Sequence, residues 1–144
     1  MRNVSFFWKS IVISTLLTGC VSIDEEPYTD FFIMDGGSYP MTIEVIINPD
    51  VEIAAEYVKD NLDSTITACE FDGAAGLTFD FQDGKPGLIW LSDINDPGII
   101  NHELLHATVN LMRYSGVSLS DSSEEAYAYQ LQYLTNQFYN KIKP

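Results

Sequence analysis

Basic residues are scarce: seven Lys and Arg stand against 21 Asp and Glu, for a formal charge of −14. The few cations are scattered along the chain rather than clustered in a basic patch that could neutralise phosphates, so a nucleic-acid partner is not expected. Cysteine is scarcer still. Cys20 and Cys69 are the only two, so at most one disulfide can form within the chain. There are only two histidines, His102 and His106, and they stand four residues apart. Internal repeats and low-complexity tracts are absent. What is present is a globular composition, with 46% hydrophobic and 12% aromatic residues in 144. That is enough for one domain with a real core and too little for two of ordinary size.

Residues 1–20 read as an export signal. Arg2 and Lys9 precede an apolar run from Ile11 to Leu17, broken by Ser14 and Thr15 and too short to span a bilayer. The run ends in Leu17-Thr18-Gly19-Cys20, which resembles the lipobox of bacterial lipoproteins. That resemblance implies cleavage before Cys20, lipid on Cys20 and a membrane-anchored protein of the cell envelope. A plain secretory signal or an uncleaved amino-terminal anchor is the competing reading. With Cys20 acylated, Cys69 is expected to be a buried free thiol; without acylation, a Cys20–Cys69 disulfide is open. Removing residues 1–19 takes away two basic residues and leaves 5 basic against 21 acidic, a net −16. Residues 20–40, with Asp24-Glu25-Glu26-Pro27 and Gly36-Gly37, read as the lipidated cysteine and an acidic tether. Residues 41–144 read as the folded domain.

Within that domain the β-branched stretch 42–48 predicts a strand, ended by the turn chemistry of Asn48-Pro49-Asp50. Ile53, Ala54, Tyr57, Val58 and Leu62 recur at helical spacing, so residues 50–62 predict an amphipathic helix capped by Asp50. Alternation over 77–81, the cluster Asp83-Gly84-Lys85-Pro86-Gly87 and the apolar run 88–91 predict a hairpin. Asp96-Pro97 supplies an N-cap and a first-turn proline for a long helix ending near Gly116. A second helix is expected over 122–140. Strand, helix, hairpin, helix, helix implies an α+β domain with a small sheet packed on helices.

The long helix carries His102-Glu103-Leu104-Leu105-His106, an H-E-x-x-H motif. Four residues make slightly more than one helical turn, so both imidazoles project from one face and can share a metal. Glu103, one residue from the first histidine, can reach a water at that metal and act as general base. At about 100° per residue, Ile99, His102, Glu103, His106, Asn110 and Arg113 fall on one stripe. The rest of the helix is apolar and expected to be mostly buried.

The motif resembles the signature of the zincins, which implies Zn²⁺ as cofactor and a peptide or protein substrate. In the metzincin branch a further histidine follows closely, and here there is none. In the gluzincins the third ligand is a glutamate on a following helix, eighteen residues past the second histidine in the aminopeptidase N family. Here residues 107–124 are the eighteen and Glu125-Ala126-Tyr127-Ala128 follows. The chain thus resembles a minimal gluzincin, as in small metallopeptidase-like proteins of bacteria and their phages, over residues 101–129. The resemblance implies metal ligation by His102, His106 and Glu125, with Asp121 and Glu124 as the nearest substitutes. Ser122-Ser123-Glu124-Glu125 also matches a capping box, which would explain Glu125 without a metal. Glu124 stands where the aminopeptidases have Asn, and no separate carboxy-terminal domain supplies their oxyanion tyrosine. Tyr127, Tyr129, Tyr133 and Arg113 are the candidates for that role, and Asn110 for a residue supporting the ligands. The expected function is a zinc peptidase; the alternative is a catalytically weak or inactive zincin-fold binding lipoprotein.

Overall fold

A computed structural model describes residues 30–82 and 84–143. Residues 1–29, where the export signal and the lipidated Cys20 are expected, lie outside the described residues. The elements run β1 (Asp30–Asp35), β2 (Thr42–Ile47), α1 (Val51–Asn61), a 3-10 turn (Ala68–Phe71), β3 (Gly76–Phe79), β4 (Gly87–Leu91), α2 (Pro97–Tyr114) and α3 (Glu124–Lys141). The chain is α+β, with one mixed four-stranded sheet in the order β1-β2-β4-β3. Two antiparallel hairpins, β1–β2 and β3–β4, are joined by a parallel pairing of β2 with β4.

Period-two alternation divides the central strands between two cores. From β2, Ile43, Val45 and Ile47 meet α2 and α3, and so do Ile89 and Leu91 from β4. Ile46, Leu88 and Trp90 point the other way, onto Ala54, Ala55 and Val58 of α1 and onto Phe71. Covered on both faces, β4 is buried at all five positions, and it therefore reads as a continuous apolar run. The predicted caps are present. Asp50 accepts from the backbone N–H groups of Glu52 and Ile53, and Asp96 from those of Gly98 and Ile99, with Pro97 opening α2. Beyond α2, Gly116 takes φ +79°; its N–H reaches the carbonyl of Arg113, and that of Val117 reaches Met112, a Schellman stop that requires glycine.

Three expectations are corrected. Residues 30–35 are strand and not tether, because they pair with β2 across its whole length. The run Phe31-Phe32-Ile33-Met34 buries Met34 fully, and Gly36-Gly37 is the turn of a hairpin, not a linker. Cys69 is exposed on the 3-10 turn rather than buried. Finally, α2 is buried on one face only: Ile100, Leu104, Ala107 and Leu111 enter the core while Leu105 is 48% exposed. No helix among the described residues is long and apolar enough to cross a membrane.

On the α1 face, the Tyr57 hydroxyl donates to Glu44 at 2.9 Å. Burial, then this bond and the carboxylate's charge, push the phenol up from 10.0 to about 12. The folded state thus favours the neutral phenol. Its contribution to stability is full below about pH 10 and is lost as pH rises toward about 12. The difference in stability between wild type and Tyr57→Phe should shrink over that window, read by denaturant unfolding alongside phenolate absorbance.

Candidate functional site

The site lies where α2 passes beneath the edge strand β3. Leu77 and Phe79 of β3 pack into the α1-side core, so Gly76 and Thr78 face α2. Opposite them stand His102, Glu103, His106 and Asn110, and together these residues line a cavity of about 260 Å³.

The helical spacing of the two histidines does what the sequence suggests. Their Nε2 atoms are 3.1 Å apart, with the rings edge to face at 78°. Two nitrogens held by one tetrahedral zinc at about 2.0–2.1 Å lie about 3.3 Å from each other. The pair fits a shared ion with an adjustment of tenths of an ångström. The same spacing serves an N–H···N hydrogen bond when no ion is between them.

Glu103 differs from its neighbours in being buried, 6% exposed. Its Oε2 accepts the Thr78 hydroxyl at 2.7 Å, and the same hydroxyl lies 3.1 Å from the Glu103 backbone carbonyl. A buried carboxylate needs such a partner, since desolvation without one is costly. The approach is close because residue 76 is glycine. A Cβ there would lie 2.8 Å from Glu103 Cγ and 3.1 Å from both Ile99 and Leu91 side chains. Gly76→Ala should therefore cost about 1–3 kcal/mol of stability by overpacking and displace Glu103. Denaturant unfolding reads the first effect. A structure of the variant reads the second, and an unmoved Glu103 would refute it.

No protein-family model, curated protein or solved structure matches the chain.

The other expected residues are placed as follows. Asn110 lines the cavity, one turn after His106. Arg113 is exposed on the last turn of α2 and does not line it. Tyr127 is buried and its hydroxyl donates to the Val117 carbonyl at 2.7 Å, so it ties α3 to the loop after α2. Tyr129 and Tyr133 line a different cavity, with Gly37 and Tyr39. Glu125 is exposed in the first turn of α3 and is not part of the cavity wall. Among the described residues, no group of three or more His, Cys, Asp or Glu side chains could hold a metal ion. The structure therefore brings His102, Glu103, His106 and Asn110 together and leaves Glu125 apart.

The capping box is corrected. The N-cap of α3 is Ser123, not Ser122, and it makes no side-chain cap bond. Its hydroxyl instead donates to the carbonyls of Ser118 and Ser120. Glu125 reaches back to no cap.

Sequence reasoning missed Gly76 and Thr78. The one signal for them was the alternation of Gly76-Leu77-Thr78-Phe79, whose small members share a face.

Proposed function

We propose that this protein is a zinc-dependent peptidase of minimal gluzincin type, held at the cell envelope by lipid on Cys20. The observation that carries the reading is the 3.1 Å separation of the His102 and His106 Nε2 atoms beside a buried glutamate. His102 and His106 would hold the ion, with Glu125 the third protein ligand on the strength of its spacing from His106. When bound, Zn²⁺ supplies Lewis-acid polarisation of a carbonyl and a water of pKa about 7.

The chain's own groups do the rest. Glu103 accepts the proton of the attacking water and returns it to the leaving amine. Thr78 fixes the orientation of that carboxylate through its hydroxyl. β3 ends the sheet, so its outer main-chain groups can pair with an extended peptide alongside the histidines. Asn110 is the one amide side chain that α2 adds to the cavity, and we take it as the candidate donor to the oxyanion.

A second reading is a zincin-fold binding protein without turnover. It draws on the absence of an assembled third donor among the described residues and of any tyrosine in the cavity wall. Zinc stoichiometry together with turnover of a mixed peptide library separates the two. One equivalent of zinc with cleavage is the expected result, zinc without cleavage favours the binder, and no zinc defeats the peptidase. For the anchor, Cys20→Ser should move the protein out of the membrane fraction, and unchanged fractionation would remove that part.

A further inference from the structure

On the far edge of the sheet, the β1–β2 turn faces one stripe of α3. Ala126, Tyr129, Gln130 and Tyr133 recur at i, i+3, i+4 and i+7, the spacing of a single helical face. With Gly37 and Tyr39 opposite, they line a cavity of about 550 Å³ that shares no residue with the histidine cavity. Such a stripe on an ordinary solvated face would be charged. This one is aromatic, and it stays open: Tyr129 is 63% and Tyr133 39% exposed. Ala126 makes room at one end of the stripe. Gly37, at φ +65°, lets the Tyr133 ring lie against the turn, where a Cβ would meet it at 3.0 Å.

The cavity has a charge behind it. Asp35 accepts the Tyr133 hydroxyl and, at 2.9 Å, the N–H of Gly37. These bonds hold its carboxyl below the usual carboxylate range, so it is an anion at neutral pH. A phenol that donates to a carboxylate carries extra electron density on its ring, which strengthens the ring's attraction for cations. No basic residue lines the cavity, and the chain as a whole carries −14. Gln130 adds a polar side chain that is 7% exposed. Its amide donates to the Gly36 carbonyl at 3.4 Å, while its own carbonyl oxygen accepts nothing from the described residues.

We propose that this tyrosine-lined cavity between the β1–β2 turn and α3 is a binding site for an organic cation, a guanidinium or alkylammonium group. Tyr129 and Tyr133 offer exposed rings, Tyr39 closes the wall, Asp35 supplies the countercharge, and Gln130 an acceptor for the cation's N–H. A saccharide would use the same rings and could hydrogen-bond to Asp35, but it brings no charge to pair with the carboxylate, so the countercharge favours the cation.

The test is titration of the purified protein, followed by the ring signals of its tyrosines in NMR. Acetyl-argininamide is compared with acetyl-citrullinamide, which has the same shape without the charge. Methylguanidinium shows whether the free cation suffices or a peptide must carry it; binding of either supports the site. Saturable shifts confined to the cations are expected. Tyr129→Ala should weaken binding about threefold to thirtyfold, the span of cation–π energies from exposed to desolvated sites, while Tyr129→Phe retains it. Asp35→Asn should weaken it as well. Tyr129 is exposed enough that neither of its variants should disturb folding, which circular dichroism checks. Equal binding of the citrulline compound or of N-acetylglucosamine overturns the proposal. So does the absence of saturable binding by any of the cations.

Discussion

Glu103→Gln should keep zinc binding and the fold and lose peptide turnover by a factor of at least about a hundred, the usual contribution of a general base. That factor corresponds to about 2.7 kcal/mol of barrier. The substitution isolates the base because it changes nothing else of size. The amide keeps an oxygen to accept the Thr78 hydroxyl, and it keeps the volume that fits against Gly76. Zinc stoichiometry, thermal unfolding and peptide turnover are measured on one sample. Loss of zinc would make Glu103 a ligand, and unchanged turnover would take it out of the chemistry.

Glu125→Ala should weaken zinc binding by orders of magnitude if the carboxylate is one of three protein ligands. The competing explanation for this residue predicts something much smaller. A lost capping interaction costs about 1 kcal/mol of stability and leaves a metal in place. The structure has already weakened that competitor, because Ser123 caps α3 without a side-chain bond and Glu125 makes no capping contact. Glu124→Ala and Asp121→Ala are the controls. If Glu125→Ala binds zinc as the wild type does while a control loses it, the ligand is the control's residue and the gluzincin reading falls. If none of the three matters, His102 and His106 act without a carboxylate from this region.

Much of the fold was legible because local chemistry decided it. Asp50 and Asp96 cap the helices where short acceptors precede apolar periodicity, and the hairpin of β3 and β4 follows from alternation interrupted by a turn cluster. β1 was not legible. Its flanking acids and glycines outweigh a four-residue apolar run, and only pairing with β2, a tertiary event, makes it a strand. The exposure of Cys69 was hidden for the same reason. At the site, the His102, Glu103 and His106 constellation is a property of one helix and could be read from spacing alone. Thr78 and Gly76 come from a different element 25 or more residues away in sequence, and no local pattern ties them to Glu103. The placement of Glu125 depends on how the loop after α2 folds. That loop is organised by the hydroxyls of Ser123 and Tyr127, and such contacts leave no periodic trace.

The parallel pairing of β2 with β4 also sets an order of assembly. The β1–β2 and β3–β4 hairpins each close over a short turn, whereas the ladder from Ile43↔Gly87 to Ile47↔Leu91 joins segments separated by all of α1, the 3-10 turn and β3. The entropy of closing that long loop must be overcome before its contacts give any return, so this step is slow compared with hairpin closure. Until it is made, Trp90 and Ile46 have no common core, and α1 has only half a surface to lie on. Folding is therefore expected to be limited by this one non-local zipper at the centre of the sheet. The histidine helix, which rests against β3 and β4, can be seated once that half has closed.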